Sequence, residues 1–513
     1  MGQNRYGNID KNGLEKYLNN NIGEENIKVY EYSDDKIFVV KFVKSKRTYS
    51  VDYDGNVEIY NGAIITDIPN VSRDVARFSR LYGTIDVVFL SGTGYEITDI
   101  PNEPSLDNTM VPVYYDETTN SWIVCSTDDE NWYNYEIQIG KTENTGTSRW
   151  ANVMLTDEIV VEKDGISYDA TTIKSFLESN SLNTIVGGTV TKEGSMLVWI
   201  PRYAYKITYY SDSSNTSVIG YSDSRGIVTK DGETPYDLSE PTVDMNVTGT
   251  LNGEEYEYYR THPAFQTDLN QGGWNERITG IWVGKYNITG TTSAVTSING
   301  KTIIKGRIGV IYDAIKNNFS AKTSESYMQK NSEYGAMIYL TESKYGRNGM
   351  NINAAEETST GNVYGVYNIC YYPYEHTAGY IADSSDTGSY GWQFASTNKT
   401  SNSLNDNNIS TKYATAYKYD IENNTSKDNY FYNLNKIFGD AIFETSDFTN
   451  DSYSNIYSWD DNGDNEFART GAPYIIRGII YNTENSYGRF NFHNYNGTQY
   501  NYAYSSRVIC IVK

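Results

Sequence analysis

From Gly194 to the C-terminus the sequence keeps one texture: short aromatic, strand-like runs separated by loops of Asn, Gly, Ser and Asp. This texture constrains the fold more than any single motif, because short strands are stable only when several pair and share a buried face. Only 309–319 and 324–346 have helical spacing in this region, and the second is expected to break before Tyr334-Gly335. The chain carries fifty tyrosines, and this aromatic load excludes a disordered polypeptide. The expected class is α+β and rich in strand.

A chain of 513 residues has room for two to four domains at roughly 150 residues each. Three regions are expected. Residues 1–62 read as a small α/β unit: Asp10 caps a helix with Leu14, Tyr17, Leu18 and Ile22 on one face, and Gly23 ends it. Four alternating runs follow ("NIKVYEY", "KIFVVKFV", "RTYSVDY", "NVEIY"), with turn signals at Ser33-Asp34-Asp35 and Asp54-Gly55. Residues 63–189 read as a β-rich connector with "ITDIPN" at 65–70 and 97–102, a helix in "SRDVARFSRLYG", a strand in "TIDVVFLSG" and a short helix in "TTIKSFLESN". Residues 190–513 form the large C-terminal domain.

The formal charge of −23 opposes a nucleic-acid partner, since phosphate would be repelled before any base was read. It suits a secreted or particle-borne protein. No run of about twenty apolar residues is present, so no membrane span is expected, and "MGQNRYGNID" has no signal-peptide character, which fits either a removed leader or a virion protein that never had one. Cys125, Cys370 and Cys510 are far apart and form no CxxC, which points to structural free thiols, with one disulfide as the alternative. His262, His376 and His493 are read as ordinary polar side chains. "IGKT" (139–142) and "NGKT" (299–302) lack the upstream glycine of a phosphate loop, with Tyr135 and Val295 in its place. Neither GxSxG nor HExxH occurs. In "SWDDNGDNEF" (458–467), Asp460, Asp461, Asp464 and Glu466 surround a turn; Asp460, Asp464 and Glu466 are the candidate calcium ligands, and no other cofactor is expected.

Six segments occur in order: "MLVWIPRYAYKI" (196–207), "HPAF" (262–265), "GIWVGKYNITG" (280–290), "KNSEYGAMIYLTESKYG" (330–346), "TGNVYGVYNICYYPYEHTAGY" (360–380) and "YIIRGII…SSRVICI" (474–511). Together they resemble the landmarks of the formylglycine-generating-enzyme-like domain, the sulfatase-modifying-factor variant of the C-type lectin fold. The stretch from "LYGTIDVVFLSG" to "WANVML" resembles pilin-like surface proteins of Gram-positive bacteria and their prophages, which carry such a domain behind a small N-terminal unit. The resemblance implies a C-type-lectin-like domain over 190–513. In the enzyme a cysteine pair after "RGG" binds copper and performs the oxidation. The matching segment here, 481–495, has no cysteine, and Cys510 stands on the final strand, so no enzymatic activity is expected. A calcium-binding "GNVWEW" stretch of the family reads "YYPYEH" (371–376) here, keeping Glu375 but with Tyr372 in place of the Asn.

In relatives without activity, the face built from the last strands and loops binds ligands or partners. The candidate binding residues on that face are Tyr481, Asn482, Tyr487, Arg489, Asn491, His493, Tyr495, Tyr500, Tyr502 and Tyr504. Tyrosine is rigid and amphipathic, and recognition loops combine it with Ser, Gly and Asn. The alternative for these tyrosines is a structural one, capping a small core with their hydroxyls outward. Strand alternation predicts Phe490 and Phe492 inward, with Asn491 and His493 outward. Trp199, Ile200, Trp282, Val283 and Tyr286 are expected in the core. Arg477 and Arg507 are expected to tie loops to buried carboxylates or carbonyls, with Asp440 and Glu444 as internal partners. The expected function is a non-catalytic extracellular display protein, pilin-like or adhesin, on a bacterial surface or a virion. Its partner is a surface glycan, a protein ligand or copies of itself. The alternative is a self-assembling filament subunit or a phage tail or receptor-binding protein.

Overall fold

The computed structural model describes the four strands between 27 and 60, then 82–138, 146–213, 216–221, 246–265, 277–319, 325–348, 358–369, 373–381, 412–417, 437–448, 456–458, 465–468, 472–478, 489–495 and 504–512. Among these residues the chain is mostly β-sheet with few helices, as its sequence texture predicts. The first four strands, Ile27–Tyr32, Ile37–Phe42, Arg47–Asp52 and Val57–Tyr60, pair in order as an antiparallel meander. They match the four alternating runs of the sequence; the helix expected near 10–22 and residues 72–81 of the one expected in "SRDVARFSRLYG" lie outside the described residues, and its last two residues, Tyr82 and Gly83, instead open the strand Tyr82–Leu90.

Ten strands form the largest described sheet, and all its pairs are antiparallel. One half runs Ile166–Tyr168, Val160–Lys163, Thr189–Lys192, Ser121–Val124, Met110–Asp116 and Asn152–Leu155. The other continues with Met196–Pro201, Gly280–Gly284, Val508–Cys510 and Ser326–Met328. The sheet therefore crosses residue 190 without a break: Met154 pairs with Met196, and the segment expected as a connector supplies five of the ten strands and the first residue of a sixth, Thr189–Lys192. Its middle strands are buried at every position. Burial on both faces explains why "MLVWIP" and "GIWVG" read as continuous apolar runs and not as alternations.

Trp199 and Trp282 face each other across this sheet with ring centroids 5.1 Å apart. Their indole N–H groups donate to the carbonyls of Asn102 and Ser105, so the second "ITDIPN" segment lids the tryptophan pair. Ile200 and Val283 are buried with them, and Tyr286 is half-buried at the edge. After Pro201 the chain passes through Arg202, fully buried with a guanidinium N–H on the Phe265 carbonyl at 2.6 Å, into the strand Tyr203–Ser213. That strand belongs to a second sheet, with Tyr82–Leu90 on one side and Glu254–Thr261 on the other.

The helix Ala170–Glu178 starts where Asp169 accepts from Thr172 N. Ile308–Ala314 runs on into a wider turn, Ile315–Phe319, together covering the expected 309–319 helix. The expected break before Tyr334-Gly335 is displaced. The helix begins at Asn331, and the preceding Ser326–Met328 is a strand against Val508–Cys510. Glu333 explains the start, accepting from Lys330 N at 2.7 Å and satisfying a donor the helix cannot. Every residue of Asn331–Glu342 is buried, so this helix lies at the centre of the C-terminal part. No described helix is long and apolar enough to cross a membrane.

Candidate functional site

The last segments of the chain gather on a five-stranded sheet in which Thr415–Tyr417, Tyr374–Ile381, Tyr474–Arg477 and Phe492–Tyr495 are neighbours in that order. Tyr504–Ser505 pairs in parallel with Tyr374–Glu375. Tyr504 thereby stacks on Tyr374 at 5.4 Å and on His376 at 5.3 Å. Tyr495 closes the group, 4.7 Å from Tyr504 and 5.2 Å from His376. Tyr495 and Tyr504 thus meet in one aromatic stack with Tyr374 and His376.

Charged residues anchor the sheet from below. Arg507 is fully buried and pairs with Glu375 at 2.6 Å. Its other N–H groups reach the carbonyls of Gly284, Lys285 and Tyr367. Asn287 and Gln329 donate to the two Glu375 oxygens at 2.8 and 2.6 Å. Both carboxylate oxygens of Glu375 are thus engaged by protein donors, and the guanidinium supplies the positive charge that a calcium ion would bring. Arg477 donates to the Ala441 carbonyl at 2.6 Å and lies over the Tyr334 ring at 4.3 Å. Asp440 accepts from Ile442 N and Phe443 N. Glu444 accepts from Tyr205, Tyr339 and Gly439 N. The two arginines therefore tie loops as their positions predict, but Glu444 answers to the Arg260 charge and to its bonds from Gly439 N, Tyr205 and Tyr339.

Five of the candidate binding residues are described. Arg489 is buried in an ion pair with Glu342 at 2.7 Å. Tyr495 and Tyr504 belong to the stack and are buried. His493 is half-buried, its ring edge-on to Tyr374 at 6.4 Å. Phe490 and Phe492 are buried, but so is Asn491, where alternation predicts an outward side chain. The reason is local: 489–490 form a turn and the strand begins only at Phe492, so a two-residue period does not apply at Asn491. Tyr481, Asn482, Tyr487, Tyr500 and Tyr502 lie outside the described residues.

In the acidic turn, Asp460 and Asp464 also lie outside the described residues, and Glu466 is half-buried. Its neighbour Asn465 accepts from Phe492 N at 2.9 Å, which joins the turn to the strand carrying His493. Among the described residues no three His, Cys, Asp or Glu side chains converge on a metal position. Cys125 and Cys510 are buried free thiols, and burial, with Asp129 adding to it, raises the Cys125 thiol far above its ordinary range.

Burial also lowers the His376 imidazole to about 4, against the opposing effect of the Gly306 carbonyl that its Nε2 meets at 3.1 Å. At neutral pH His376 is therefore an uncharged ring donating from Nε2, suited to packing and not to proton transfer. Burial likewise raises the Tyr495 hydroxyl, aided by Tyr504 and opposed by Arg307, so it stays protonated and able to donate. Sequence reasoning misses Tyr374, His376 and Glu342, because no local spacing announces a partner more than a hundred residues away. No protein-family model matches the chain, and no curated protein matches it.

Proposed function

We propose that this chain is a non-catalytic extracellular display protein, pilin-like or adhesin, presenting a Tyr/Asn-rich ligand-binding face on a C-type-lectin-like domain. The observation that carries the reading is the buried Tyr495–Tyr504–His376 stack, backed by the buried Arg507–Glu375 pair. A rigid, buried base beside a Tyr/Asn-rich stretch of sequence suits recognition, since pre-ordering lowers the entropy lost on binding. The described tyrosines of the tail are committed to that base. Contact with a ligand then falls to His493 and to the segments 481–488 and 496–503, with Tyr500 and Tyr502 as the principal residues. The ligand class is a surface glycan or an exposed protein loop, both read by tyrosine faces and amide hydrogen bonds.

The test is a glycan array probed with the purified chain, followed by titration of the best glycan. The double variant Tyr500→Ala/Tyr502→Ala should keep the wild-type near-ultraviolet dichroism and bind at least about tenfold more weakly. Equal binding by the variant would remove these residues from the site. Regular polymers of the wild-type chain under the electron microscope, with no glycan retained, would overturn the reading in favour of a filament subunit.

A further inference from the structure

Arg477 ends the strand Tyr474–Arg477 and is fully buried. Its Nη2 donates to the Ala441 carbonyl at 2.6 Å, but Nε and Nη1 meet no acceptor among the described residues. Glu375, opposite it across the strand pair, is committed to Arg507, and no other carboxylate among the described residues pairs with it. The bond to Ala441 sets the guanidinium beside Asp440, whose carboxyl feels its charge. Asp440 Oδ1 accepts from Ile442 N and Phe443 N, while Oδ2 is buried with no donor upon it. Tyr417 completes the group, since the charges of Asp440 and Arg477 both act on its hydroxyl. Asn331 Nδ2 donates to that hydroxyl oxygen at 2.6 Å, so the Tyr417 proton is left to be donated elsewhere.

From this geometry we infer that Arg477 Nε and Nη1, the Tyr417 hydroxyl and the Asp440 carboxyl line a buried site for one small monovalent anion of the halide class, chloride above all. A guanidinium taken out of water with two N–H groups unanswered is costly until an opposite charge completes it. The charges around the site decide for an anion and against a water molecule. On the 437–445 loop, Glu444 faces the Arg260 charge. On the central helix, Lys330 and Glu333 cancel each other at 3.2 Å. Burial lowers His262, against the Gly439 backbone, to about 3, so this ring is uncharged at neutral pH. Burial raises the Asp440 carboxyl to about 7, and below that value it is neutral and able to donate its own proton. Arg477 then carries a positive charge that water cannot balance and a halide can. Above that value the Asp440 carboxylate supplies the balance itself and repels the anion. The site therefore fills as pH falls through about 7 and empties as pH rises. A bound halide would tie the 437–445 loop to the five-stranded sheet, whatever the C-terminal face binds.

The test compares urea midpoints of the full chain in sodium chloride, sodium bromide and sodium gluconate at equal ionic strength, from pH 5 to pH 9. Chloride and bromide, but not the bulkier gluconate, should raise the midpoint saturably at pH 5, because a ligand of the folded state alone stabilises it. This advantage should vanish by pH 9 in the wild type and persist there in Asp440→Asn, which is neutral throughout. Tyr417→Phe removes one donor and should need about tenfold more chloride for half the effect at pH 5. Crystals soaked in bromide at pH 5 should show anomalous scattering between Arg477 and Tyr417. Equal midpoints in the three salts at pH 5 would overturn the inference. So would a halide advantage unchanged at pH 9 in the wild type, wild-type chloride dependence in Tyr417→Phe, or a water molecule without anomalous signal at that position.

Discussion

At the scale of single residues, buried charge decides the most. Arg507 and Glu375 are both taken out of water, and each is the other's main compensation. Arg507→Ala would leave the Glu375 carboxylate buried without its cation, at a cost of about 3–5 kcal/mol. Urea unfolding should show this as a lower midpoint at unchanged slope. Asp440 gives a test in pH. Burial raises its carboxyl from the ordinary 3.8 to about 7, against its bonds from Ile442 N and Phe443 N and the Arg477 charge, and with Glu444 adding to the rise. The folded state therefore holds a proton that the unfolded state has released between those two values. The contribution of Asp440 to stability is fully present below 3.8 and is lost as pH rises through about 7. Asp440→Asn keeps the Oδ1 acceptor and removes the titration. The stability difference, variant minus wild type, should grow in the variant's favour from pH 4 to pH 8, read from urea midpoints across that range. A flat difference would show that Asp440 does not titrate in that window.

Among elements, the central helix Asn331–Glu342 carries an instructive conflict. Gly335 lies inside it, and glycine weakens a helix by about 1 kcal/mol relative to alanine. A Cβ at this position, however, would stand 1.9 Å from the Gly439 carbonyl oxygen and 2.8 Å from its carbon. Both are backbone atoms, and the 437–445 loop they belong to also holds Asp440 and Glu444. Overpacking of this kind costs about 1–3 kcal/mol, so the clash outweighs the propensity gain. Gly335→Ala should lower the melting temperature, and a higher one would refute the close approach. The helix Ala170–Glu178 is the simpler case. Its exposed Asp169 cap accepts from both the backbone and the hydroxyl of Thr172, at 2.8 and 2.7 Å. Asp169→Ala should lower the midpoint of chemical denaturation.

For the whole molecule, the ten-stranded sheet is the decisive feature, since it takes strands from 110–192 and from both ends of 196–510. A chain beginning at residue 190 would bare the edge of Met196–Pro201, whose neighbour Asn152–Leu155 would be gone. An edge of six consecutively buried residues is an aggregation template. That shortened chain should elute in the void volume of a sizing column, whereas one beginning at residue 82 should elute as a discrete species. A monodisperse 190–513 would show that the C-terminal part closes its sheet alone.

Legible in the sequence alone are the strand-rich class, the pairing of the N-terminal meander, the short helix near 170–178 and the core positions of Trp199 and Trp282. These follow from near-neighbour pattern and side-chain chemistry, which a linear reading contains. Only the tertiary structure decided that the ten-stranded sheet crosses residue 190, that Asn491 is buried, and that Tyr495 and Tyr504 serve the base of the face. It alone placed Lys285 against Asn152 and Arg507 against Glu375. Apart from Asn491 at the exit of a turn, each of these is a pairing between separate elements, from the neighbouring strands of Met154 and Met196 to residues more than a hundred positions apart. Such contacts are set by which surfaces can be buried together, and local spacing carries no record of that.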